Sequence, residues 1–262
     1  MQGSPVLKLL ALDFDGVICD SARETGMSAW KAARELWPEL CYAAEIPEKY
    51  LQKFVQVRPY LEYGYQSVLM LKMLLEELPL RAFQEELEEN CQRIMQENSL
   101  KKADLMKRFS NAREQWLAQD LDGWLAAHGF YAGVILALQE ALKLQEVHIL
   151  TTKQECFAMP LLTGQGVCFP KEQLWGLERK TPKEELLLRF VQAGYSSIAF
   201  VEDRLDTLLR VMQIPELDAV KLYYATWGYS GEKEKQQAAA MKRINCIILD
   251  DFNRILRGTE TL

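Results

Sequence analysis

The chain changes its hydrophobic period near residues 20 and 129. Val6 to Leu12, apolar except for Lys8, reads as a buried strand of a parallel sheet. From Ala22 to about His128 the apolar positions recur at helical spacing, and no strand is expected. Asp20 or Ser21 stands where it would cap the first of these helices. Tyr65 to Leu78 is apolar on almost every side, as in a helix buried within a bundle. Phe83, Leu87, Cys91, Ile94 and Met95 make one stripe, with Glu85, Glu86, Glu88 and Glu89 outside it. Leu105, Met106, Phe109, Trp116 and Leu117 continue the pattern after a break at Asn98-Ser99.

Beyond Gly129 short apolar runs alternate with helical stretches. Val134 to Leu144 predicts a helix and Val147 to Leu150 a strand, followed by a helix near Gln154 to Leu162 and a short segment at Gln173 to Gly176. A helix over Pro182 to Ala193 precedes a strand at Ser197 to Val201. Ala219 to Tyr224 and Asn245 to Leu249 are further strand candidates, separated by a polar helix around Glu232 to Arg243. Such alternation predicts an α/β fold, a three-layer sandwich with a mostly parallel, Rossmann-like sheet. The expected domains are an α/β core, 1–20 and 129–262, and an all-helical cap, 21–128, inserted after the first strand.

Composition narrows the partners. Of 262 residues 49% are hydrophobic and 26% charged, ordinary values for a globular chain. A net charge of -6 argues against nucleic acid or an anionic membrane as the main partner. No stretch reaches the apolar length of a membrane span, and the first residues lack a signal peptide's basic region and cleavage site. The six cysteines include no CxxC pair and suit reduced, buried thiols, so the cytoplasm is the expected location. His128 and His148 are too isolated for a metal cluster and are expected to serve packing.

The chemistry gathers at predicted strand ends. Asp13 and Asp15 follow the first strand and precede Gly16, where the backbone is expected to turn. Thr151 and Thr152 end the second, Glu202 and Asp203 end a later one with Asp206 nearby, and Lys180 opens a helix between them. In a doubly wound sheet such ends converge on one crevice. Paired carboxylates, a hydroxyl, an ammonium and a separate acidic pair suit phosphoryl transfer through an aspartyl-phosphate. Mg2+ held by Asp13 and Asp203 would let a carboxylate approach an anionic ester. Lys180 would neutralise the remaining charge, while Thr151 and backbone N–H groups near Gly16 would bind phosphoryl oxygens. Asp15 would protonate the leaving oxygen and later deprotonate the attacking water.

At these residues the chain resembles the haloacid dehalogenase-like (HAD) hydrolase superfamily. Asp13-Phe14-Asp15-Gly16-Val17 matches its first motif, Thr151 its second, Lys180 with Pro182 its third, and Glu202-Asp203 its acidic fourth. The resemblance implies a Mg2+-dependent hydrolase, most often a phosphatase, with Asp13 as nucleophile and Asp15 binding the metal through its backbone carbonyl. The presence of Asp15 favours action on a phosphate ester, whose alkoxide needs a proton, over dehalogenation. Three departures stand out: only two residues separate Asp203 from Asp206, which makes Glu202 the candidate second acid; Arg204 adds a positive charge; and Thr152 replaces a common asparagine or glycine. The expected substrate is a small phosphorylated metabolite. In the cap, Arg58 lies where Gln56 to Tyr60 interrupts the helical period, and is a candidate substrate contact. The alternatives are a phosphomutase using the same residues, or a catalytically weak binding or regulatory protein that keeps the fold.

Overall fold

The computed structural model describes residues 8–259, and within them the chain separates into two compact units, 8–20 with 129–259, and 21–128. The expected strand start at Val6 and Leu7 lies outside the described residues. The described residues form eight strands: β1 (Lys8–Leu12), β2 (Cys19–Asp20), β3 (Gly129–Phe130), β4 (Glu146–Leu150), β5 (Leu174–Trp175), β6 (Ser197–Glu202), β7 (Lys221–Ala225) and β8 (Ile244–Ile247).

Six of them form one parallel sheet in the order β5-β4-β1-β6-β7-β8. The chain therefore builds outward from β1 in one direction, returns, and builds outward from β6 in the other. That reversal opens a crevice at the carboxyl ends of β1 and β6, where doubly wound sheets hold their ligands. Leu9, Leu10, Ala11 and Leu12 are all fully buried, as a central strand covered on both faces requires. Leu9 and Ala11 share a core cluster with Leu186, Leu187 and Phe190 of the helix Lys183–Gln192 and with Ile198 and Phe200 of β6.

β2 and β3 were not expected. They pair antiparallel, Cys19 with Phe130 and Asp20 with Gly129, so the chain leaves and re-enters this unit side by side. Two residues per strand are too few to show a period. Leu249, expected in the last strand, instead begins the helix Leu249–Leu256, because Asp251 accepts a hydrogen bond from the Ile248 N–H and caps it.

The unit 21–128 is helical throughout its described elements, from Ala22–Arg34 to Leu121–Ala126. Trp30, Phe54, Val68, Leu69, Phe83, Ile94, Leu105 and Phe109 belong to its core. Ser21 occupies the first cap position, but its side chain does not cap the helix. Beneath it Glu24, fully buried, accepts bonds from Arg113 at 2.8 and 2.6 Å and from Ser28 at 2.6 Å. No helix among the described residues is long and apolar enough to cross a membrane.

Candidate active site

Alternation along β1 turns Leu9 and Ala11 toward the helix Lys183–Gln192, and the next residue on that face is Asp13. Its backbone N–H still donates to Val201 on β6 at 2.9 Å, so the nucleophile candidate is held by the sheet. The chain then turns at Gly16, whose φ of +95° suits glycine. A Cβ there would lie 2.0 Å from Asp203 Oδ2, so the turn is packed directly on that carboxylate. The Gly16 N–H donates to the Cys19 carbonyl at 2.8 Å. The Gly16 N–H is therefore engaged within the turn itself.

On β6, Ile198 and Phe200 face the same side, and Glu202 follows them. Lys183, in the first turn of its helix, donates to Asp13 Oδ1 at 2.5 Å and to Glu202 Oε2 at 2.8 Å. Glu202 Oε1 accepts the backbone N–H groups of Asp203 and Arg204, each at 3.1 Å. Both Glu202 oxygens are thus engaged, one by the lysine and the other by backbone N–H groups. Asp203 Oδ2 accepts the Tyr229 N–H at 2.6 Å.

The site lysine is Lys183 and not Lys180. Lys180 ends the short helix Leu177–Arg179 with a left-handed φ of 52° and is exposed. A readable signal existed for Lys183: with Leu186, Leu187 and Phe190 it occupies i, i+3, i+4 and i+7, the stripe that faces the sheet. Lys153 is buried and donates to both Asp15 oxygens at 3.1 and 3.2 Å. Thr151 is buried at the end of β4, its N–H bonded to Trp175 and its Oγ1 accepting the Lys153 N–H at 3.0 Å. Thr152 and Asp206 are exposed, Asp206 in the first turn of the helix Leu205–Met212, so Asp206 stands outside the acid cluster. Arg58 lies in the other unit, at the start of the short helix Arg58–Tyr60.

The loop after β7 escaped the sequence reading. Besides the Tyr229 N–H on Asp203, the Tyr229 hydroxyl donates to Asp20 Oδ1 at 2.6 Å and Trp227 Nε1 to the Val17 carbonyl at 3.3 Å. A Cβ on Gly228 would meet Asp203 Cβ at 2.4 Å and the Gly16 carbonyl at 2.5 Å. Gly228, three residues beyond the end of β7, was the available signal.

Electrostatics set the site's demand. Burial raises the Asp13 carboxyl to about 7; Lys183 pulls it down, while Glu202 and Asp15 push it up. Burial first, then Glu202 and Asp13, hold Asp203 well above the ordinary carboxylate range. Burial alone would lower Lys183, but Asp13 and Glu202 outweigh it and keep the ammonium charged. Asp13, Glu202 and Asp203 present oxygens within 4.8 Å of one another, the acid cluster found among the described residues. Buried carboxylates that repel each other and carry only oxygen donors fit a hard divalent cation such as Mg2+. His128 and His148 stand apart: the first bonds Trp124 O, and the second lies between Trp175 Nε1 and Glu146.

Solved structures described as phosphatases and as haloacid dehalogenase-like hydrolases share this fold. Among solved structures the chain is similar to a protein from Haemophilus somnus described as a predicted phosphoglycolate phosphatase, with 17% identity over 98% of this chain and 100% of that one and a TM-score of 0.61. It is also similar to a predicted phosphatase from Clostridium acetobutylicum (13% identity, 96% and 98% covered, TM-score 0.54). A haloacid dehalogenase-like family hydrolase from Streptococcus pneumoniae shares the fold as well (12% identity, 98% and 100% covered, TM-score 0.55). No protein-family model matches the chain, and no curated protein matches it.

Proposed function

We propose that the protein is a Mg2+-dependent phosphatase that hydrolyses a small phosphorylated metabolite through an aspartyl-phosphate at Asp13. The observation that carries this reading is Asp13 at the β1 end, ion-paired to Lys183 and beside Asp203 at the adjacent end of β6. Asp13 and Asp203, with the Asp15 carbonyl, are the groups to hold the cation, and Glu202 keeps Lys183 in place. Bound there, Mg2+ supplies positive charge that lets two anions meet.

Asp13 attacks phosphorus while Asp15 passes a proton to the departing oxygen. Water then attacks the phosphoryl group, and Asp15 takes its proton as Asp13 is released. Lys183 offsets charge on Asp13 and on the transferring group, and Thr151 Oγ1 is a donor for a phosphoryl oxygen. The helical unit 21–128 has the part of a cap, with Arg58 its substrate-reading candidate. An acidic chain without a membrane-spanning helix among its described residues is consistent with action in the cytoplasm.

The test is hydrolysis of p-nitrophenyl phosphate and a panel of phosphorylated metabolites, with and without Mg2+, by wild type, Asp13→Asn and Asp15→Asn. Turnover that requires Mg2+ and disappears in Asp13→Asn supports the reading. A wild type that binds no Mg2+ and cleaves no phosphomonoester overturns it in favour of a binding or regulatory protein.

A further inference from the structure

Lys153 has no part in the chemistry above, yet it is among the most enclosed charges in the α/β unit. Its side chain is 2% exposed, and its Nζ reaches both oxygens of Asp15, a residue 138 positions earlier in the chain. Its backbone is tied on both sides: the N–H donates to Thr151 Oγ1 at 3.0 Å, and the carbonyl accepts the Leu177 N–H at 3.1 Å. Burying a flexible ammonium costs rotamer entropy and solvation, so an enclosed, backbone-braced lysine differs from an exposed ion pair of small net effect.

The two lysines divide the acids between them. Lys183 takes Asp13 and Glu202, and Lys153 takes Asp15. Asp15 sits after the end of β1, on a turn where no extended strand fixes its side chain.

We propose that Lys153 is the positioning residue of Asp15, holding its carboxyl group toward the oxygen that leaves in the first step and the water that attacks in the second. This rests on the phosphatase reading. In step one the Asp13–phosphorus bond forms, the ester bond breaks and the Asp15 proton goes to the departing oxygen. In step two the water–phosphorus bond forms, the Asp13–phosphorus bond breaks and the water's proton returns to Asp15. Lys153 moves no proton in either step; it fixes where Asp15 stands.

Two aryl esters separate this role from general support. p-Nitrophenolate leaves without a proton, whereas phenolate from phenyl phosphate is about as basic as tyrosine's, about 10. With Mg2+ present, Lys153→Met should lose about a hundredfold on phenyl phosphate, the low end of general acid–base contributions. On p-nitrophenyl phosphate it should instead release one equivalent of nitrophenolate per site in a rapid burst, then turn over slowly, because the second step lacks its oriented base. KM should change little, and adding Lys153→Met to Asp15→Asn should cause no further loss. Lys153→Gln carries the same test if Lys153→Met does not fold.

Equal losses on both esters without a burst, or a loss that adds to that of Asp15→Asn with a raised KM, overturn the positioning role. The second pattern would make Lys153 a phosphate-binding group. A wild type inactive on both esters and on the metabolite panel with Mg2+ overturns the phosphatase reading, and the role of Lys153 with it.

Discussion

Lys183 joins Asp13 across 170 residues of sequence, its Nζ 2.5 Å from Asp13 Oδ1 and 2.8 Å from Glu202 Oε2. One ammonium thus ties the end of β1 to the end of β6 on the face where their side chains align.

Removing that charge should harm both fold and chemistry. Lys183→Met leaves two buried carboxylates facing each other, and breaking such a pair from one side costs about 3–5 kcal/mol. Loss of a preorganised charge at the reacting centre lowers kcat by about a hundred- to a thousandfold. Urea unfolding and turnover of p-nitrophenyl phosphate measure the two effects, and Lys180→Met should alter neither.

Gly16 can be tested through the space that it leaves. An alanine Cβ would lie 2.0 Å from Asp203 Oδ2 at a φ of +95°. Gly16→Ala should therefore cost about 1–3 kcal/mol of strain and displace the Asp203 carboxylate. The expected signature is a higher Mg2+ concentration for half-maximal activity, together with a lower melting temperature. An unchanged Mg2+ requirement would separate Asp203 from the metal.

The raised carboxyl of Asp13 predicts how Mg2+ stabilises the protein. Its ordinary value is 3.8 and its folded value about 7, so between them the folded chain holds a proton that the unfolded chain has lost. Without metal, this group makes stability fall as pH rises through that window. A cation that replaces the proton recovers the loss. The melting-temperature gain from a fixed Mg2+ concentration should be larger at pH 8 than at pH 5, measured by thermal denaturation at both.

His148 acts with the opposite sign. Burial lowers its ring below 6.5, Glu146 opposing, while its Nδ1 accepts the Trp175 N–H at 2.9 Å. A lowered base binds fewer protons in the folded chain, so its contribution to stability is present above 6.5 and lost as pH falls. His148→Phe should destabilise the protein at pH 7.5, and the gap to wild type should narrow at pH 5.

Much of the α/β unit was legible because its burial is periodic. Val134–Leu144 begins and ends where its apolar pattern does, and β4 and β6 coincide with apolar runs. β1 shows why Asp13 and Asp15 stood out: apolar side chains ending in two acids advertise a sheet edge. The lysines did not, since four lie from 153 to 183 and only packing distinguishes them. Lys183 was within reach, on its helix's apolar stripe, whereas resemblance drew attention to Lys180. Lys153 and Tyr229 act across loops with no period, and their partners are set by the tertiary fold. The β2–β3 ribbon was invisible for the same reason.

That ribbon also makes the chain modular. Because Asp20 pairs with Gly129, the 108 residues between them occupy a position that a tight hairpin turn can fill. The sheet and its acids can keep one threading while the intervening segment is exchanged, shortened or grafted from another source. Evolution, or an engineer, can thus replace the helical insertion as a cassette at one seam.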